Sequence, residues 1–186
     1  MTTKRDAIID SACHLIEVQG YHATGINQIL EESGAPKGSL YYYFPEGKEG
    51  LASEAIERSS RLIESRIREV IAHGVDPAEG IRSFFVLLSE RIEASDFRHG
   101  GPLTSVAVEA ASTNERLRSA CRNAYARWQE AFADRLREQY DDERAASLAA
   151  LIVSALEGAI ILSRSERNVA PLLAAGRELE RLIRSG

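Results

Sequence analysis

Three observations predict an all-α fold of about nine helices for this 186-residue chain. Apolar residues recur at spacings of three and four along nearly the whole sequence, the pattern of helices with a buried face. No segment keeps the strict alternation of a half-buried strand. Prolines and glycines punctuate the periodic stretches at the places where helices start and stop. With 44% apolar residues there is ample material for a core.

The first helix occupies about four turns of KRDAIIDSACHLIEVQG, with Ile8, Ala12, Leu15 and Ile16 facing inward and Gly20 as its stop. Thr24 suits the N-cap of a short second helix, GINQILEESG, which buries Ile26, Ile29 and Leu30 and ends at Gly34. Pro36 fits the first turn of a third helix, and KGSLYYYF spans about two turns before Pro45 ends it. Two short helices joined by about four residues, glycine among them, spell a helix-turn-helix. A long fourth helix runs from Glu49 to about His73, and Pro77 opens a fifth that bears Ile81, Phe84, Phe85, Leu87, Leu88 and Ile92. A short apolar helix starts at Pro102, and a long one then aligns Leu117, Cys121, Ala124, Trp128, Phe132 and Leu136. The eighth is apolar around most of its circumference from Leu148 to Leu162, which predicts burial on every side. The last carries Leu172, Leu173, Leu179, Leu182 and Ile183 as a sticky face for a second copy of the chain. Two helices from each subunit, about 143–165 and 170–184, would close a four-helix interface.

Several function classes are excluded by what these residues are. Cys13 and Cys121 lie far apart and read as small buried apolar residues. His14, His22, His73 and His99 are scattered, so no metal-ligand spacing appears and no cofactor is expected. Gly100-Gly101 lacks the flanking pattern of a phosphate-binding loop. The first residues lack the apolar region of a secretory signal, and no run approaches the roughly 18 apolar residues of a membrane span. A cytoplasmic protein with no membrane association is the expectation. The net charge of −5 argues against nonspecific wrapping of nucleic acid, and residues 1–50 hold four Lys/Arg against seven Asp/Glu. Any nucleic-acid face must be local.

Tyr41, Tyr42, Tyr43 and Phe44 stand in a row within that acidic region. Helical spacing sends Leu40 and Phe44 inward, with Tyr41 at their margin, and turns Tyr42 and Tyr43 away. An outward tyrosine is a poor solubilising residue, but its hydroxyl can donate to a phosphate oxygen while its ring packs on the sugar backbone. A partly buried aromatic cluster is the plainer alternative.

Residues 4–52 resemble the TetR/AcrR family of transcriptional regulators: GYHATGINQILEESGAPKGSLYYYFPEGKEGL is similar to the family signature, in spacing, over about thirty positions. The loop FPEGKEGL, one residue longer than the usual form, Pro36 in place of a common serine, and GGPLTSVAVEAAS resemble the LmrA/YxaF-like branch. The resemblance implies an N-terminal three-helix helix-turn-helix DNA-binding domain, 1–47, and a helical C-terminal ligand-binding and dimerisation domain, 48–186. It implies a homodimer that represses from a palindromic double-stranded DNA operator and is released by a small apolar or aromatic inducer, the fourth helix transmitting the change. Carried over residue by residue, the DNA contacts fall on Thr24, Asn27, Gln28, Lys37, Gly38, Ser39, Tyr42, Tyr43 and Lys48. Tyr41 would then pack the reading helix onto its domain. The ligand pocket falls on Phe84, Phe85, Leu88, Val106, Tyr125, Trp128 and Phe132, each of which also reads as plain core. Glu109 and Glu157 suit either a ligand contact or a salt bridge. The chemistry agrees at the reading head: amides at a helix start bind phosphate, and Gly38 lets backbone approach base edges. A helical scaffold dimer without DNA binding is the competing reading, suggested by the acidic N-terminal region. An enzyme would need a nucleophile, base and orienting group, and no such spacing is present.

Overall fold

Thr3 starts the first helix of the computed structural model, which describes residues 3–185. Its hydroxyl accepts the Asp6 N–H at 3.1 Å while the Asp6 carboxylate accepts the Thr3 N–H at 3.3 Å, a reciprocal capping box. The Thr3 hydrogen bond, with the Arg58 guanidinium next, holds the Asp6 carboxyl below its ordinary range.

Nine helices and no strand occur among the described residues: α1 Lys4–Gln19, α2 Ile26–Ser33, α3 Ser39–Tyr43, α4 Gly47–Ala72, α5 Pro77–Ala94, α6 Pro102–Glu109, α7 Glu115–Leu136, α8 Asp142–Glu166 and α9 Ala170–Ser185. They group into two compact units. The first takes the described residues up to 61 together with 101–124; the second takes 62–100 and the described residues from 125 onward. The helices α4 and α7 each begin in the first and end in the second.

The first unit is built around Ile8, Ile9, Ala12 and Leu15 of α1, Ile29 and Leu30 of α2, Leu40 of α3, Phe44, and Leu51 and Ala55 of α4. Within it α6 lies against α1, and the Gly101 N–H donates to the Glu17 carboxylate at 2.8 Å. Three sequence expectations are corrected here. The N-cap of α2 is Gly25 and offers no side-chain bond. Thr24 is instead fully buried, its hydroxyl donating to the Gly20 carbonyl at 2.6 Å and accepting from Gln19 Nε2 at 3.3 Å; it closes the α1–α2 turn from inside. The third helix is five residues long, because Pro36 to Ser39 form a separate turn closed by a 2.9 Å bond from Ser39 N to the Pro36 carbonyl. Finally, Tyr43 packs half-buried on the core while Tyr41 is 64% exposed. Both flank the Leu40–Phe44 row, and Tyr43, three residues beyond Leu40, takes the place expected for Tyr41.

The second unit packs α9 against α5 and α8. Gly176 lies so close to Phe85 that an added methyl would come within 2.8 Å of its Cβ. Phe84 meets Phe132 edge-on at 5.8 Å, and the Tyr140 hydroxyl donates to the Ile183 carbonyl at 2.5 Å. Asp76 caps α5 by accepting the Glu79 N–H at 2.8 Å, with Pro77 in the first turn.

The expectation that α8 is buried on every side is also corrected. Ala145, Leu148, Ala149, Ile152, Val153, Leu156, Ala159, Ile160 and Ser163 face the fold, but Leu151, Ile161 and Leu162 are about half exposed, at 46%, 49% and 52%. By length and composition α8 is apolar enough to cross a membrane, with a mean hydropathy of 2.1 over its best window; 44% of that window is buried within the protein.

Neither Cys13 nor Cys121 forms a disulfide. The buried Cys121 and the half-buried Cys13 fit the packing role expected of them, and the Cys13 thiol donates to the Ala55 carbonyl at 3.3 Å. Removal from water pushes its pKa up to about 12.

Candidate nucleic-acid interface

Gly25 and Gly38 open the exposed side of the first unit. No side chain caps α2 among the described residues, so its first backbone N–H groups suit a phosphate oxygen. Asn27 and Gln28 project from that first turn and are exposed. The Gln28 amide is aligned by Gln19, whose Nε2 donates to Gln28 Oε1 at 2.7 Å.

Across the turn, Lys37 and Gly38 are exposed and Ser39 is half-buried. Lys37 has no ion-pair partner among the described residues, whereas Arg5, Arg58 and Arg116 of this unit are paired. Arg58 lies 2.8 Å from Asp6 and 3.0 Å from Asp10, Arg5 pairs with Glu54, and Arg116 grips Glu46 through both terminal nitrogens. Asp6, Asp10 and Glu46 of the acidic N-terminal stretch are thus spent on ion pairs within the unit. Tyr42 is 80% exposed, braced edge-on against Tyr43 at 4.9 Å.

Lys48 is half-buried. Its Nζ sits 4.3 Å over the Tyr21 ring and 3.5 Å from the His22 carbonyl. Burial lowers its pKa, opposed by the Glu109 carboxylate. Glu109 serves the backbone rather than a salt bridge. Its carboxylate accepts the backbone N–H of His22 at 2.7 Å, and its own carbonyl lies 3.0 Å from His22 Nε2. Gly20, with φ at +91°, passes beneath that carboxylate where a methyl group would collide with it. The end of α6 therefore holds the turn that leads into α2.

Sequence reasoning missed Tyr41, Tyr21, Gln19 and this role of Glu109. The pairings of Gln19 and Glu109 join residues 9 and 87 positions apart, and no local spacing announces either. Glu109→Ala is expected to lose about 1 kcal/mol and a few degrees in Tm by calorimetry. Glu109→Gln should retain both, since its Oε1 can accept the same N–H.

The residues expected to line a ligand pocket separate into two groups. Phe84 and Leu88 border a cavity of about 180 Å³ with Ile63, Arg66, Leu87 and Arg91. Phe85, Val106 and Phe132 are completely buried, and Trp128, which meets Tyr125 edge-on at 5.7 Å, is nearly so. Among the described residues no cluster of three metal-ligating side chains occurs.

Two family models match this chain. Residues 8–55 match the model for bacterial regulatory proteins of the tetR family, and residues 77–178 match the transcriptional regulator LmrA/YxaF-like C-terminal domain. The HTH-type transcriptional regulator LmrA of Bacillus subtilis strain 168 is 42% identical over 170 residues, covering 91% of this chain and 90% of that protein. An uncharacterised HTH-type regulator of the same organism, YxaF, is 39% identical over 97% of this chain and 95% of its own. A similar fold is found in the solved structure of a cysteine-substituted TetR-family regulator, CifR, complexed with 26-bp double-strand operator DNA. It has a TM-score of 0.80 at 21% identity and covers 95% of this chain and 94% of that one. These relatives and families are transcriptional regulators and not enzymes. With its N-terminal and C-terminal parts each matched and near-full-length relatives at about 40% identity, the chain belongs to the TetR family of transcriptional regulators and carries an LmrA/YxaF-like C-terminal domain.

Proposed function

We propose that this regulator is a cytoplasmic homodimeric repressor that binds a palindromic operator and is released by a small apolar or aromatic inducer. The observation that carries the reading is the exposed, unpaired Lys37 beside exposed Tyr42, on a turn buttressed by Leu40, Tyr43 and Phe44. In this reading Gly38 lets the backbone approach base edges with Ser39 beside it, while Asn27, Gln28, Lys37, Tyr42, Tyr43 and Lys48 hold the DNA backbone. Tyr41, freed from the core, joins the backbone contacts. Thr24 contributes only through the turn it closes, since its hydroxyl is already engaged.

Function divides at about residue 47, with 1–47 as the reading head and 48–186 serving ligand and dimer. The α4 helix, which belongs to both compact units, carries the inducer's signal. Dimerisation uses α8 and α9. Leu151, Ala155, Gly158 and Leu162 fall at successive spacings of four, three and four on α8, with Ile161 beside them. Leu182 of α9 is also exposed. A second apolar stripe on a helix already buried on its first is material for an isologous contact.

Sedimentation velocity and footprinting of the Leu151→Glu/Leu162→Glu double variant test this together. The wild type should sediment as a dimer and protect a two-fold symmetric site. The variant should sediment as a monomer and protect none. A variant that remains dimeric would refute the α8 interface, and an asymmetric single footprint from the wild type would refute the palindromic operator.

A further inference from the structure

The cavity in the second unit is unlike the purely apolar pocket that the inducer reading calls for. Ile63 and Arg66 lie three residues apart on α4, and Phe84, Leu87, Leu88 and Arg91 fall at i, i+3, i+4 and i+7 on α5, so each helix offers one face. Four of the six side chains are hydrocarbon, the other two are guanidiniums, and no carboxylate lines the space. Arg66 is already shared with Glu69 at 3.0 Å. Arg91 has no ion pair among the described residues.

We propose that this site binds a small amphipathic carboxylate, with one aromatic ring or a short acyl chain. The hydrocarbon lies against Ile63, Phe84, Leu87 and Leu88, the carboxylate pairs with Arg91, and Arg66 assists. The volume sets the body: a cavity of about 150 Å³ admits a benzene-sized ring, so about 180 Å³ holds one ring and little more. The charge sets the head. A guanidinium offers a carboxylate two parallel hydrogen bonds, a neutral ligand leaves it unmatched, and a cationic one is repelled. As the identity of an inducer this rests on the ligand-responsive reading above; as a binding site it stands without it.

Isothermal titration of the full chain with 3-phenylpropanoate and its neutral amide, 3-phenylpropanamide, separates these contributions. The acid should bind saturably, and about tenfold or more tighter than the amide. Arg91→Ala, at an exposed position that leaves the fold intact, should remove that difference by weakening the acid alone. Leu88→Trp should fill the space and abolish both. Equal affinity for acid and amide, indifference to Arg91→Ala, or no binding of either probe would overturn the site. Repeating the titration with labelled operator distinguishes the two claims: acid binding without DNA release sustains the site and overturns its role as the inducer pocket.

Discussion

Lys37→Ala combined with Tyr42→Ala should weaken operator binding by about a hundredfold or more while leaving the thermal midpoint nearly unchanged. Each hydrogen bond to a charged phosphate is worth about 1.5 kcal/mol or more, and a dimer presents every contact twice. Both side chains are exposed, so their removal takes little from the fold. The single variants differ in kind. Lys37→Ala removes two cations per dimer and should flatten the dependence of log affinity on log salt by about 1.8. Tyr42→Ala should leave that slope as it was. Fluorescence anisotropy across a salt series reads both quantities, and an unchanged slope in Lys37→Ala would remove Lys37 from the interface.

Gly80→Ala should be among the most damaging single methyls in the second unit, lowering stability by about 3 kcal/mol and Tm by roughly 6–12 °C. A Cβ at Gly80 would stand 2.5 Å from the Ile71 carbonyl oxygen and 2.9 Å from the Ile71 Cα. Both atoms belong to the α4 backbone, which cannot rotate aside as a side chain could. Gly25→Ala is the natural comparison: no atom lies within 4 Å of its would-be Cβ and φ is −90°, so a change of a few tenths of a kcal/mol is expected. Calorimetry of the two variants measures the difference. Similar midpoints would mean that the α4–α5 corner is looser than its geometry implies.

Helix order was legible because it rests on local pattern. The spacing of Ile8, Ala12, Leu15 and Ile16 and the stops at Gly20 and Gly34 place α1 and α2 within a residue or two of where they form. Cap identity was not legible at Thr24, where a hydroxyl can serve a helix start or a turn closure with the same residue type; burial decided for the turn. The choice between Tyr41 and Tyr43 failed for a related reason. Both border the Leu40–Phe44 row, and a five-residue helix gives periodicity too little length to discriminate. The circumference of α8 misled because an apolar helix can face a protein core on one side and a second molecule on another, and residue type alone does not tell which partner covers it. Of the anticipated pocket aromatics, Phe85 and Phe132 are completely buried. Arg66 and Arg91, which line the cavity beside Phe84 and Leu88, carry no aromatic or apolar signal that would have marked them in the sequence.

The most direct measurement is anisotropy of the purified protein with labelled duplex DNA from upstream of its own gene, titrated over several salt concentrations against a scrambled duplex. Tight binding that falls with salt, strongly prefers the native duplex and saturates at one dimer per site is the predicted result. Equal affinity for both duplexes at every salt concentration, with Lys37→Ala no weaker than the wild type, would contradict the assignment of this surface as a DNA reading head.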